Sequence, residues 1–243
     1  MRKTTSYLRR AINDYDMIKD GDIIGVGVSG GKDSMVLLAG LNSLLKFVGI
    51  DFKIIAITLK LGFETDRVNE IEKYCKDNGI RHEFVDTEIG NIVFDYRKES
   101  NPCSLCAKMR RGAINEYAKK IGCNKVALGH NFDDVVETVF LNLYYEGRFG
   151  CFAPVTYLDR VDITVIRPLI YMEETAILGA AKRNNLPIVK SCCPANGTTK
   201  REEMKEHIKL LQQTHKDIKN KIFKALCKAE LNGWRVQDKG RCN

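Results

Sequence analysis

Across 243 residues the sequence has no apolar run approaching the roughly 20 residues that span a bilayer, and no apolar leader core at its N-terminus. A cytoplasmic protein without membrane contact is the expectation. Internal repeats, low-complexity linkers and sharp composition boundaries are also missing, so one α/β domain with a small appendage accounts for the length. Cysteine does not occur before Cys75, which removes N-terminal C-x-x-C pairs of the zinc-finger kind. The nine cysteines, in a reducing compartment, read as core thiols, metal ligands or reactive thiols rather than a disulfide framework. A Walker A loop is absent too: Gly31-Lys32 is followed by Asp33, and Val26 stands where the first glycine of G-x-x-x-x-G-K-S/T belongs. A dinucleotide fingerprint matches only formally, as Gly25-Val26-Gly27-Val28-Ser29-Gly30. Its first two glycines fall inside an apolar strand, and the second strand ends at Leu59-Lys60 with no acid for a ribose hydroxyl.

What is present is Ser29-Gly30-Gly31-Lys32-Asp33-Ser34, directly after the apolar run from Ile23 to Val28. A buried strand that breaks into two glycines, a lysine and a hydroxyl before a helix suits phosphate: backbone N–H groups approach the oxygens, and the helix points its positive end at them. Asp33 would repel a polyphosphate unless a divalent cation lay between them, which argues against simple phosphate cradling.

Strands are expected at Asp22 to Val28, Phe52 to Leu59, His82 to Val85, Lys125 to Leu128 and Ile163 to Ile166. Helices are expected from Thr5 to Met17, Asp33 to Phe47, Glu64 to Asn78, Ser104 to Ile121, Phe132 to Tyr145, Glu173 to Asn184 and Arg201 to Leu226. This alternation predicts a doubly wound, parallel five-stranded sheet of order 3-2-1-4-5, with an N-terminal helix over residues 1–20, a nucleotide domain over 21–190 and a basic helical extension over 191–243. Loops after strands one and four would then flank one crevice, setting Lys32, Asp33, His130, Asp133 and Asp134 around a single ligand.

The net charge is +8, and from residue 182 onward there are 15 Lys/Arg against 6 Asp/Glu, leaving the first 181 residues at −1. A separated basic surface suits nucleic acid; a solvated lysine-rich helical tail is the plain alternative. In the second cluster, Asp134 and Glu137 share a helix face near its start, where ordinary capping is the competing explanation. Arg167 reads either as a phosphate-facing cation or as a surface arginine before Pro168. Tyr144, Tyr145 and Phe149 read as base-stacking or as core aromatics.

Cys103 and Cys106 form a C-x-x-C at the start of a helix, with Lys108, Arg110 and Arg111 nearby, a setting that acidifies thiols. A redox pair would need its own βαβ context after a first strand, and zinc would need further ligands. An iron–sulfur site needs thiolates, and a third candidate occurs at Ser191-Cys192-Cys193-Pro194. Cys75, Cys123, Cys151 and Cys227 read as helix or core thiols.

Ser29-Gly30-Gly31-Lys32-Asp33-Ser34 resembles the PP-loop of N-type ATP pyrophosphatases, and His130, Asp134, Glu137 and Thr138 resemble the H-x-x-x-D-x-x-E-T pattern of members that act on tRNA. Together with Pro102-Cys103-x-x-Cys106, Met109-Arg110-Arg111-Gly112 and the Cys-Pro before Thr199-Lys200-Arg201, the chain resembles the tRNA 2-thiocytidine synthetase family. The resemblance runs from about Asp22 to His207; His130-Asn131-Phe132 departs from it where many members have two histidines. It implies ATP with magnesium at Ser29, Gly30, Gly31, Lys32, Asp33, Ser34, Leu59, Gly129, His130 and Asp134. Among these, Lys32, Asp33 and Asp134 would be catalytic. A 4Fe–4S cluster would sit on Cys103, Cys106 and Cys193, with Cys192 a rival for the third place and one iron left open to sulfide. Arg110, Arg111, Lys200 and Arg201 would bind tRNA. The implied reaction adenylates a base carbonyl, cytidine C2, and replaces its oxygen by sulfur, taken from inorganic sulfide or a cysteine desulfurase relay. A homodimer is expected. The alternative is a tRNA lysidine synthetase, which needs no cluster; a non-catalytic RNA-binding module is a third.

Overall fold

In the computed structural model, residues 1–45, 49–62, 68–97, 102–189 and 200–235 are described. Strands β1 (Ile23–Gly27), β2 (Lys53–Lys60), β3 (Arg81–Asp86), β4 (Lys125–Ala127) and β6 (Ile163–Ile166) run parallel in the order β3-β2-β1-β4-β6. Strands in the middle are buried because helices cover both faces: β1 buries Ile24, Gly25 and Val26, and β4 buries all three residues, its Lys125 paired with Asp22 at 2.7 Å.

The sheet has six strands rather than the five expected, because β5 (Val155–Leu158) pairs antiparallel with β6 at the edge. No residue of β5 is fully buried, so it has no apolar run to announce it; the hairpin partner, not local pattern, makes it a strand. The order of the expected strands is unchanged.

On one face, α1 (Arg2–Asp14), α2 (Lys32–Leu44) and α7 (Glu174–Arg183) build the main core, with Leu8, Leu37, Leu41 and Ile177 free of solvent. On the other, α5 (Pro102–Lys120) lays Ile114 and Ala118 against Ile57 and Val126. α3 (Val68–Asp77) leads into β3; the expected helix start at Glu64 lies outside the described residues. A short helix α4 (Ile89–Asn91) continues as a π-turn, Ile92–Arg97, and packs Ile89 and Val93 on Cys106.

α6 (Phe132–Tyr145) is covered by α8 (Lys200–Thr214), whose Met204 and Ile208 pack on Phe132, Val136 and Phe140. Burying each such side chain contributes about 1.5–3 kcal/mol. The single C-terminal helix expected from Arg201 to Leu226 is two helices, because the chain turns after Thr214 and restarts as α9 (Ile218–Lys228). That turn returns Phe223 to Phe132, with ring centroids 5.1 Å apart. Trp234 closes the arrangement edge-on to Tyr15 at 5.9 Å, its indole N–H donating to the Phe152 carbonyl at 2.8 Å.

Candidate active site

β1 ends in the loop that carries Ser29 to Lys32, and α2 starts with Gly31 as its N-cap and no side-chain oxygen on its first amides. Those amides therefore remain available to an anion. Gly30 has φ +79°, and a Cβ there would lie 2.9 Å from the Val189 Cβ; the Val189 N–H donates to the Gly30 carbonyl at 2.9 Å. Inside the loop, the Ser34 hydroxyl donates to the Gly31 carbonyl at 2.9 Å and accepts from the Ser29 N–H at 3.2 Å. Ser29 and Ser34 thus hold the loop's curvature.

The second loop is fitted against the first. At Gly129 a Cβ would stand 3.1 Å from both the Asp33 carbonyl carbon and the Ser34 nitrogen, so a side chain there would press the two loops apart by a few tenths of an ångström. Asn131 caps α6 by accepting from the Asp134 N–H at 3.1 Å, while Asp134 Oδ2 accepts from the Asn131 N–H at 2.9 Å. Asn131 Nδ2 also donates to Asp33 Oδ1 at 2.9 Å, tying the cap of α6 to the first turn of α2.

Between these loops lies a cleft of about 420 Å³, lined by Ser29, Asp33, Ser34, Leu59, Gly129, His130 and Asp134, with Arg110, Arg111 and Ala107 from α5 and Arg201 from α8. His130 is neutral here: burial, then the charges of Arg167, Arg201 and Arg111, push its pKa down to about 3, and its buried Nδ1 has no protein partner. It can donate or accept a hydrogen bond but not carry charge. Arg201 Nη1 reaches Asp134 Oδ1 at 2.8 Å and Glu137 Oε2 at 3.4 Å. Burial raises the Asp134 pKa; burial and then Asp134 raise that of Glu137 to about 7.

Lys32 Nζ sits 2.9 Å from Asp33 Oδ2 and 2.9 Å from Glu174 Oε1. Burial alone would lower its pKa, but the bonds to Glu174 and Asp33 outweigh that and leave it raised. Glu174 takes a second ammonium, Lys205 Nζ, at 2.5 Å, and although burial opposes ionisation, Lys205 and Lys32 hold its pKa at about 2. Glu174 and Lys205 escaped the reading of the sequence; an acid in the first turn of a helix is too common a capping residue to single out.

Two other residues fill roles the sequence left open. Asp133 faces away from the nucleotide loop and ties helices together, Oδ2 accepting from the Glu174 N–H at 2.6 Å and Oδ1 from Lys219 at 2.7 Å. Arg167 is neither a surface residue nor a cleft residue. It is buried over the Phe152 ring and donates to the Ala153 carbonyl at 2.6 Å, with burial lowering its pKa to about 10.

Cys103 is exposed and Cys106 buried, one turn apart in α5. At helical spacing, Cys103 begins the stripe that continues through Ala107, Arg110 and Ile114, the residues that line the cleft. Two soft thiolates so placed fit an iron–sulfur cluster better than a hard cation. Cys193 and its rival Cys192 lie outside the described residues, and among the described residues no three His, Cys, Asp or Glu side chains gather as a metal site. Lys200 stands over the Tyr145 ring at 4.2 Å rather than in the cleft, while Tyr144, Tyr145 and Phe149 are at least a third exposed.

A family model described as PP-loop domain matches residues 2–213. The tRNA-cytidine(32) 2-sulfurtransferase of Geobacter sulfurreducens is 37% identical over 228 residues, 93% of this chain and 89% of that protein. Its counterpart in Geobacter metallireducens is 37% identical over 232 residues, covering 94% and 90%. Among solved structures, the U34-tRNA thiolase NcsA of Methanococcus maripaludis, with its 4Fe–4S cluster, superposes with a TM-score of 0.78 at 27% identity, over 94% of this chain and 78% of that one. No helix among the described residues is long and apolar enough to cross a membrane. With its glycine-rich loop after β1 facing the capped acids after β4, the chain belongs to the PP-loop ATP pyrophosphatases and, among them, to the tRNA 2-thiocytidine synthetase family.

Proposed function

We propose that this protein is an ATP-dependent, iron–sulfur-dependent tRNA sulfurtransferase that converts a cytidine to 2-thiocytidine. The observation that carries the reading is the stripe of α5 that starts at Cys103 and runs through Ala107, Arg110 and Ile114 into the nucleotide cleft. It sets thiol ligands and nucleotide on one helix. Relatives named tRNA-cytidine(32) 2-sulfurtransferase support cytidine as the base.

In this reading the amides from Ser29 to Lys32, the Lys32 ammonium and the Ser34 hydroxyl hold the phosphates of ATP, with Leu59, Gly129 and His130 enclosing the nucleoside. Asp33 and Asp134 would hold the magnesium ion, which supplies charge neutralisation. Arg110, Arg111, Arg201 and, beside Tyr145, Lys200 would hold tRNA phosphates. The base carbonyl oxygen bonds to the α-phosphorus as the bond to the β-phosphate oxygen breaks, so adenylated base and pyrophosphate result. Positioning and stabilisation of the developing charge supply most of the acceleration. His130, uncharged, orients a polar group without competing for its proton. Cys103, Cys106 and Cys193 would hold the cluster, which supplies sulfur as the nucleophile that releases AMP.

The finer reading includes a cytoplasmic homodimer, sulfur from inorganic sulfide or a cysteine desulfurase relay, and a boundary between nucleotide domain and basic extension near residue 190. The deciding experiment incubates anaerobically purified protein with ATP, magnesium, sulfide and tRNA from a strain lacking the gene, followed by mass spectrometry of the nucleosides. The expected product is 2-thiocytidine with AMP and pyrophosphate; lysidine, or no product from iron-loaded protein, overturns the reading.

A further inference from the structure

We propose that Lys205 is a second cation for the pyrophosphate of ATP, and that Glu174 is a positioning residue that gathers it beside Lys32. The inference rests on the nucleotide reading of the cleft given above and adds to it a helix that the glycine-rich loop alone does not contain.

Glu174 lies in the first turn of α7 and grips two ammonium groups at once, Lys32 at 2.9 Å through Oε1 and Lys205 at 2.5 Å through Oε2. Asp33 also contacts Lys32 at 2.9 Å, so two carboxylates balance the two ammonium groups, and Glu174 is the one that holds both of them at a single point beside the loop. All three side chains keep between a quarter and about a third of their surface exposed, so the cluster lies at the protein surface beside the loop rather than sealed in the core. The Glu174 N–H is itself taken by Asp133, which fixes the carboxylate's starting point. Lys205 follows Arg201 by one helical turn on α8, so the residue that lines the cleft and the residue at the loop lysine share a helix face. Met204 and Ile208 anchor that turn in the core.

In adenylation the electron pair of the breaking bond passes from the α-phosphorus to the bridging oxygen, and the departing pyrophosphate gains negative charge. Two ammonium groups held apart by a shared carboxylate offer that charge two separate contacts, and each charge-assisted hydrogen bond to phosphate is among the strong kind. The loop amides serve the phosphate being attacked; the lysine pair serves the group that leaves.

The test uses the full-length, cluster-loaded protein with calorimetric titration of magnesium–ATP, inorganic pyrophosphate and AMP. Lys205→Met, which keeps the aliphatic stem, is expected to weaken pyrophosphate and ATP by about tenfold or more and to leave AMP unchanged. Lys205→Arg should restore most of the loss, and Glu174→Gln should weaken pyrophosphate without lowering AMP binding. Undiminished pyrophosphate binding in Lys205→Met, with Lys32→Ala binding lost, overturns this proposal and leaves the nucleotide reading standing. An equal loss of AMP assigns Lys205 to structure and overturns it as well. Wild-type protein that binds neither ATP nor pyrophosphate removes the underlying reading first.

Discussion

Arg201 of α8 and Asp134 of α6 stand 2.8 Å apart across 67 positions of sequence, and the same carboxylate caps α6 through its other oxygen. A helix cap and a cleft acid are therefore one residue, and the basic helix that covers it contributes a guanidinium to the same site. Replacing Arg201 by Ala should weaken tRNA binding and lower the slope of log affinity against log salt by about one. Filter binding over a salt series measures it; an unchanged slope would mean that Arg201 serves the fold alone.

Glu137 is 6% exposed, and its pKa is raised to about 7 from an ordinary 4.5, first by burial and then by Asp134. A raised carboxyl pKa means that the folded state binds the proton more tightly. The contribution of Glu137 to stability is therefore full below about 4.5 and is lost as the pH rises through about 7, by an amount on the order of 3 kcal/mol. Glu137→Gln should melt close to wild type at low pH and above it at alkaline pH. A melting difference that does not grow with pH counts against a buried, protonated Glu137.

Gly30→Ala places a methyl 2.9 Å from the Val189 Cβ on a backbone with φ +79°. The conformational strain alone is about 1–2 kcal/mol, before the collision is added. Loss of ATP affinity with a lowered Tm is the expected result, and an ordinary ATP affinity would show that the loop accepts a different curvature.

Cys103→Ser and Cys106→Ser should both abolish bound iron and thiolation, but with unequal effects on the fold. Cys103 is exposed, whereas Cys106 packs among Ile89 and Val93. The apoprotein of Cys103→Ser should melt close to wild type and that of Cys106→Ser lower, since the smaller, more polar hydroxyl replaces a sulfur packed among Ile89 and Val93. Iron and labile sulfide assays with scanning calorimetry separate the two; retained iron in Cys103→Ser removes it as a ligand.

Much of the architecture is legible locally. The glycine-rich hexapeptide after an apolar run, and apolar segments alternating with amphipathic ones, need only nearest neighbours to be recognised. Asn131 and Asp134 are likewise three apart, so their mutual capping is a property of the segment. By contrast, β5 exists only because β6 lies beside it, and the break between α8 and α9 follows from Phe223 docking on Phe132.

The amino-acid order alone determined that a glycine-rich turn follows the first strand, that two thiols start one helix and that basic charge collects toward the end, because each depends on residues within a turn or two of one another. Only the tertiary structure decided that Asp133 staples helices instead of facing nucleotide, that Arg167 is buried, and that Arg201, Lys205 and Lys219 meet Asp134, Glu174 and Asp133. Those partners are tens of positions apart. What brings them together is the burial of Met204 and Ile208 on α6, which sets the docking of α8, and of Phe223 on Phe132, which sets that of α9, while the charges take up the positions that docking allows.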